Sequence, residues 1–378
     1  MAETIRNREK VQDAMLPYAH WLYAIPGIGR KTISALLSEG RTPQEIYEMS
    51  ADRIRECLPA SAKRQNIAER IAKAGEKTDV YADYDKLGKK QIRFTYLGHP
   101  DYPEKLSQIP DAPFGLYYIG RLPEQDKPTA AIIGARNCSE YGRQMAGMFG
   151  KELAKAGIGI ISGMARGIDA IGQASALAAG GYSLGVMGCG ADVCYPAENK
   201  ELYRMLSEQG GICSEYLPGT QPKNSLFPPR NRIISGFSDM VLVIEAKAKS
   251  GTLITVDMAL EQGKEVYALP GRVTEALSEG CNRLIKQGAG VALSPQEMIR
   301  EVLGENYGSC TVPRLLSALQ ADLLDNLEEV PMSVENIRER MLFKNGHAVS
   351  ATEIISELMR LSIAGLVKQI GNSYFMKE

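Results

Sequence analysis

From residue 129 onward the chain alternates short apolar runs with helical stretches, and this alternation constrains the fold more than any other feature. The runs at 130–133, 158–161, 183–186, 211–214, 240–244 and 265–269 have the length of buried strands. Between most of them lie stretches of helical pattern, including 141–156, 168–179, 198–208 and 253–262. Strands that are apolar throughout and alternate with helices predict an α/β fold whose parallel sheet is covered on both faces. Right-handed crossovers make such a sheet doubly wound, with its ligand crevice at the carboxyl ends of the strands.

The flanks read differently. Before residue 79, Ile33, Leu36 and Leu37, then Ile67 and Ile71, fall at helical spacing, so residues 1–78 are expected to form a helical domain. Residues 79–305 hold the sheet, preceded by extended patterns at 92–97 and 116–119. In the tail, 325–378, Ser350 and Glu353 fit a capping box ahead of Ile354, Ile355 and Leu358. Gly365 to Val367, Gly371-Asn372 and Tyr374-Phe375 suggest a hairpin, so the tail reads as a winged-helix candidate.

Charge and cysteine usage narrow the function. The net charge of −1 excludes a polycation, so any nucleic-acid or anion site must be a local basic patch. The tail has six Lys/Arg against eight Asp/Glu, a net of −2, and is expected to dock protein or regulate the crevice rather than hold phosphates. No apolar run approaches the ~20 residues that span a bilayer, and the charged N-terminus has no apolar stretch behind it. The seven cysteines, Cys57, Cys138, Cys189, Cys194, Cys213, Cys281 and Cys310, are odd in number and scattered. Reduced thiols in a cytoplasmic protein with no membrane association are therefore expected. The three histidines, His20, His99 and His347, lie far apart, so neither a metal site nor any other cofactor is expected.

The strand-to-helix junctions carry the chemistry. Gly134-Ala135-Arg136 leads through Ser139 into a helix; a loop of this kind aims N–H groups at an anion, and Arg136 adds a charge suited to phosphate. It is not Gly-x-Gly-x-x-Gly, and the next strand ends in Ser162-Gly163 without an acid for a ribose, which argues against a dinucleotide enzyme. Gly163 and Arg166 mark the second junction, and Lys200 opens a helix after Tyr195-Pro196. Arg230-Asn231-Arg232 begins another helix; one arginine is expected to pair with Glu215 or Glu245, leaving the other for phosphate. Ser250-Gly251-Thr252 supplies hydroxyls and N–H groups at the last junction. Pro26-Gly27-Ile28-Gly29 between helical segments suits either a DNA-phosphate hairpin or a tight packing turn, and Arg30 between Gly29 and Lys31 breaks the P-loop pattern. No Ser–His or Cys–His pairing reaches the crevice, so no catalytic residue is expected.

With these stretches in order, 132–142 (IIGARNCSEYG), 160–170 (IISGMARGIDA), 188–203 (GCGADVCYPAENKELY), 214–216 (SEY), 227–239 (FPPRNRIISGFSD), 243–255 (VIEAKAKSGTLIT) and 268–273 (ALPGRV), the chain resembles the DNA-processing protein A (DprA/Smf) family. The resemblance implies an extended Rossmann-like fold flanked by a helix-hairpin-helix/SAM-like domain and a winged helix. It implies a non-enzymatic, cytoplasmic protein that binds single-stranded DNA, forms a homodimer through the Rossmann-like domain and helps load RecA recombinase during natural transformation. Phosphate contacts would carry over to Arg136, Lys200 and Arg230-Asn231-Arg232. Many members have a histidine where this chain has Ile171-Gly172-Gln173-Ala174. The alternatives are a scaffold that holds a small nucleotide and a nucleotide phosphoribohydrolase of the lysine-decarboxylase-like family. The latter chemistry resembles a Gly-Gly-x-Gly-Thr-x-x-Glu motif, and here Thr255 stands at the glutamate position.

Overall fold

The computed structural model describes residues 12–59, 66–304, 317–328, 331–345, 349–363, 366–370 and 374–377. Cys310, His347, Gly365 and Gly371-Asn372 lie outside the described residues. The chain forms two compact units, residues 1–305 and 306–378.

The first unit opens with helices α1 (Leu16–Ala24), α2 (Arg30–Leu36), α3 (Pro43–Glu48), α4 (Ala51–Cys57), α5 (Ile67–Lys77) and α6 (Val80–Lys89). Then come β1 (Arg93–Tyr96), α7 (Glu104–Ser107) and β2 (Gly115–Gly120). The alternating region follows as β3 (Thr129–Ile133), α8 (Glu140–Lys155), β4 (Gly159–Ser162), α9 (Ile168–Ala178), β5 (Ser183–Val186), α10 (Lys200–Gln209) and β6 (Gly211–Ser214). It continues with α11 (Phe227–Phe237), β7 (Met240–Val243), α12 (Gly251–Glu261), β8 (Glu265–Ala268), α13 (Glu279–Lys286), β9 (Gly290–Val291) and α14 (Pro295–Leu303).

These strands make one sheet in the order β1-β2-β6-β5-β4-β3-β7-β8-β9. From β6 to β9 all neighbours are parallel, as the apolar runs predict. Every residue of β3 to β7 is buried, which is why these strands show no polar alternation. Side chains still alternate between faces. Ala131 and Ile133 pack with Ile233, Ile234 and Phe237 of α11 and Val256 and Ala259 of α12. Ile132 lies against Gly172 of α9 on the opposite face. There α8 and α9 approach so closely that a Cβ at Gly150 would fall on the Gly172 carbonyl.

The extended patterns near residues 94 and 117 join this sheet antiparallel, with Tyr117 opposite Ser214 and Arg93 opposite Tyr118. They cover the β6 edge, which would otherwise offer a row of unpaired backbone groups. The N-terminal helices share a core with these strands, since Trp21, Leu22, Ile33 and Ile71 cluster with Phe94, Tyr117 and Ile212. The turn Pro26–Gly29 joins α1 to α2, and Arg30 just beyond it pairs with Asp111 and donates to the Pro110 carbonyl (3.3 Å). Buried His20 places Nδ1 2.9 Å from the Tyr117 hydroxyl and Nε2 3.5 Å from Asp83. Burial holds its pKa below the ordinary 6.5, with Asp83 pulling the other way.

The second unit contains α15 (Ala318–Asn326), β10 (Met332–Ser333), α16 (Val334–Asn345), α17 (Ala351–Ile363), β11 (Val367–Ile370) and β12 (Tyr374–Lys377). Its sheet runs β10-β12-β11, antiparallel throughout. The capping box at α17 is present: the Glu353 carboxylate accepts from the Ser350 amide (3.2 Å) and hydroxyl (2.7 Å), and the Glu353 amide donates to Ser350 Oγ (3.2 Å). Its own core gathers Leu323, Ile337, Ile354, Leu358 and Phe375. No helix among the described residues is long and apolar enough to cross a membrane.

Two measurements check this packing. Gly150→Ala is expected to destabilise the first unit by about 1–3 kcal/mol through the α8–α9 contact. Gly88→Ala, whose added methyl meets open space on α6, is expected to be neutral or stabilising by up to ~1 kcal/mol in the same thermal melt. His20, with its folded pKa below the unfolded value of ~6.5, contributes stability that is present above that pH and lost as the pH falls below it. A urea titration is therefore expected to show stability declining below pH ~6.5, and His20→Gln should flatten that decline.

Candidate nucleic-acid interface

The chain winds outward from β3 through β4, β5 and β6, then returns to add β7, β8 and β9 on the other side of β3. The winding direction therefore reverses between β3 and β7, and a ligand crevice belongs beyond their carboxyl ends. Two clefts open there. The larger, of about 530 Å³, is lined by Gly134, Arg136 and Asp169 on one side and by Asn224, Phe227, Arg230, Asn231, Lys249, Ser250, Gly251 and Thr252 on the other. The smaller, of about 310 Å³, is lined by Arg136, Gly163, Arg166, Cys189, Cys194, Tyr195, Glu198, Phe227 and Arg230.

The loop after β4 is held from several sides. Met164 has φ 54°, a region costly for a residue with a side chain. Its amide donates to Gln173 Oε1 (3.1 Å), and its carbonyl accepts from Asn199 Nδ2 (2.8 Å). Buried Gln173 also donates to the Leu184 carbonyl (2.9 Å) and Ser183 Oγ (3.2 Å). Gln173 thus braces the loop that presents Arg166. Asp169 accepts from the Gly163 amide (3.2 Å). Burial pushes its carboxyl pKa up, while Arg230, the Ser162 hydroxyl and the amides of Gly163 and Gly134 draw it back.

The two arginines of α11 have different tasks. Arg230 is 5% exposed, and Nη1 donates to the carbonyls of Gly163 (2.9 Å) and Val186. Burial lowers its pKa and Asp169 opposes that shift. Arg230 therefore ties the ends of β4 and β5 to α11 while still forming part of both cleft walls. Arg232 supplies the expected carboxylate pairing: it grips Glu215 through two bonds (2.6 and 3.1 Å) and Asp111 through Nε (3.2 Å), outside the lining of both clefts.

The start of α8 is already occupied by a carboxylate of the protein. Buried Glu245, just beyond β7, accepts from the Ser139 amide (3.0 Å) and hydroxyl, while Ser139 Oγ caps α8 by accepting from the Gly142 amide (3.0 Å). A helix N-terminus favours an anion there, and Glu245 provides it. Ser139 consequently lies in a separate cleft with Tyr141, Glu245 and Arg272. At α12 the arrangement stays open: Ser250 caps the Thr252 amide (3.2 Å), and Thr252 Oγ1 donates to the Gly134 carbonyl (3.3 Å).

The structure thus brings Gly134, Arg136, Arg230, Asn231, Ser250, Gly251 and Thr252 together in the larger cleft, with Gly163 and Arg166 in the smaller. Arg136 is exposed, whereas Arg166 lies 3.6 Å from Glu198. Lys200, also exposed, begins α10 outside the lining of the smaller cleft, near enough to Cys194 to oppose in part the burial that raises its thiol pKa. Sequence reading passed over Asn224 and Lys249; the spacing of Lys249, two residues ahead of Gly251, was the available signal. Among the described residues no cluster of His, Cys, Asp or Glu could hold a metal. Burial raises the Cys189 thiol to about 11, which suits an unreactive interior cysteine.

The chain matches the family described as DNA recombination-mediator protein A over residues 93–303. It is 42% identical over 200 residues to the DNA processing protein DprA of Streptococcus pneumoniae, spanning 53% of this chain and 71% of that one. The X-ray structure of DNA processing protein A from Streptococcus pneumoniae superposes with a TM-score of 0.65 at 32% identity, covering 76% of this chain and 98% of that one. DNA processing protein A from Helicobacter pylori, solved for its single-stranded DNA binding mode, superposes with a TM-score of 0.52 at 31% identity, covering 57% and 97%.

Substitution separates the brace from the exposed cation. Arg230→Met leaves Asp169 buried without its counter-charge and is expected to cost about 3–5 kcal/mol in a denaturant titration. Arg136→Ala, at an exposed side chain, is expected to stay within ~0.5 kcal/mol of the parent.

Proposed function

The chain belongs to the DNA recombination-mediator protein A (DprA/Smf) family, and from that premise we propose that it binds single-stranded DNA along the two clefts beyond β3 and β7. The observation that carries this reading is the pair of adjoining open clefts bearing Arg136, Arg230 and Lys249, with Lys200 exposed beside them. A single strand needs a basic groove that follows its backbone and flat surfaces for its bases. Gly134, Asn231, Ser250, Gly251 and Thr252 would add amide and hydroxyl donors. Arg166 would exchange Glu198 for a phosphate, whereas Gly163, Ser139 and Arg232 would act by positioning the loops.

In this proposal the protein is cytoplasmic, protects incoming single strands and passes them to RecA recombinase during natural transformation, acting as a homodimer through its Rossmann-like domain. The second unit, with the element order of a winged helix, would dock protein or regulate the clefts. The arginines among its described residues support this, because Arg338, Arg340 and Arg360 are paired with Glu335, Glu328 and Glu357. The proposal assigns no catalysis. Thr255, at the position of the hydrolase glutamate, is a buried hydroxyl, Asp169 is held by the Gly163 amide, and Glu198 faces Arg166. Thr255 thus offers no carboxylate of the kind that cleavage of an N-glycosidic bond calls for.

Fluorescence anisotropy of labelled single-stranded and duplex DNA across a salt series tests the reading. Binding is expected to favour the single strand and weaken with salt. Arg136→Ala and Lys200→Ala should each lose about 1–3 kcal/mol and lower the salt slope by ~0.7. Binding indifferent to both substitutions would sink the assignment of the groove.

A further inference from the structure

Two loops at the rim of the groove are fastened to each other and to the N-terminal helices. The first, 189–195, supplies Cys189, Cys194 and Tyr195 to the smaller cleft and leads on to Lys200. The second, 214–220, leads on to Asn224 in the larger cleft. Neutral bonds join them: the Gly190 amide donates to the Thr220 carbonyl (2.9 Å), and Ser214 Oγ donates to the Cys189 carbonyl (2.6 Å). The carboxylate of Asp192 adds a charged one. Its Oδ1 accepts from the Gly219 amide (2.6 Å), and its Oδ2 lies 3.3 Å from Lys90 Nζ, just past the end of α6. Gly190 makes room for it, since a Cβ there would fall 2.8 Å from Asp192 Oδ1. On the second loop, the Tyr23 hydroxyl of α1 donates to the Glu215 carbonyl (2.5 Å). A charge-assisted bond is roughly twice as strong as a neutral one, so Asp192 carries a large share of what sets the two loops against each other.

We infer that Asp192 is a positioning residue for the groove: it holds the 189–195 loop against the 214–220 loop, and through Lys90 the N-terminal helices take part in that hold. Asp192 lines neither cleft, so it acts on a bound strand only through the side chains that the two loops carry or lead to. With its charge met by Lys90 and the Gly219 amide, it adds little repulsion toward phosphates. This assignment rests on the single-strand reading and deepens it, because it gives the N-terminal helices a part in binding without a DNA contact of their own. The first loop also carries a reporter. Cys189 is fully buried and burial raises its thiol pKa, so it resists alkylation. Cys213 of β6 and Cys281 of α13 are buried to the same degree. Release of the loop would uncover Cys189 alone, whereas general unfolding would uncover all three.

The test uses the full chain, with anisotropy of a labelled deoxythymidine oligonucleotide across a salt series and peptide mapping of iodoacetamide labelling. Asp192→Ala is expected to weaken binding about tenfold. Its salt slope should match the parent, because no phosphate contact is lost. Cys189 should label faster in this variant while Cys213 and Cys281 stay protected. Lys90→Ala should move affinity and Cys189 labelling in the same directions by about threefold, and Lys90→Arg should restore both. The role is refuted, with the groove intact, if Asp192→Ala binds as the parent does, if its salt slope falls, or if Cys213 and Cys281 become labelled along with Cys189. Where Asp192→Ala does not fold, Lys90→Ala decides on the same readings, and parental affinity or unchanged Cys189 labelling overturns the role. If the parent chain binds no single strand, the groove itself is refuted and this role with it.

Discussion

The buried guanidinium of Arg230 is the interaction on which the groove depends. It joins the carbonyl ends of β4 and β5 to the first turns of α11, in a place where β3 and β7 are already fully buried neighbours. A charge so deeply enclosed is tolerable only with its hydrogen bonds made and an opposite charge at hand, and Asp169 together with two carbonyls meets that requirement. The arrangement fixes the Gly163–Arg166 loop and supplies the inner wall of both clefts. It also supports Phe227, and through it Tyr195. One buried cation thus gives rigidity to a surface that also bears the exposed side chains of Arg136 and Lys249, with Arg166 beside Glu198.

A second constraint explains why the groove lies where it does. In a doubly wound sheet, the helix after the first strand commonly offers its N-terminus to a phosphate. Here Glu245 occupies that position at α8, bonded to the Ser139 amide and hydroxyl. The crevice is therefore shifted to the α11–α12 face, where the start of α12 stays open and Arg136 leans between two clefts. Two adjoining open clefts accommodate a chain of nucleotides better than one enclosed nucleotide.

Much of the architecture was legible from residue order alone. The strands predicted at 183–186 and 211–214 fall where Ser183–Val186 and Gly211–Ser214 are found, because a strand buried on both faces must be apolar along its whole length. The capping box at Ser350 and Glu353 was equally plain, since its bonds span three residues. The placement of β1 and β2 was not legible: Tyr117 pairs with Ser214 across 97 positions, and no local pattern encodes such a partner. For the same reason the N-terminal helices, read as a domain of their own, turn out to share a core with those strands.

By itself, the sequence determined the alternating α/β framework, its doubly wound sheet and the set of junctions from which polar side chains could reach a ligand, because periodicity and junction chemistry are local properties. Only the tertiary structure decided which of those side chains face the groove. Arg230 and Arg232 are two residues apart on one short helix, yet one braces the clefts from within and the other is drawn to Glu215 and Asp111. Lys249, passed over on local grounds, came to the lining of the larger cleft through folding. A charged or aromatic side chain takes its role from the partners that surround it, and those partners arrive from distant parts of the chain.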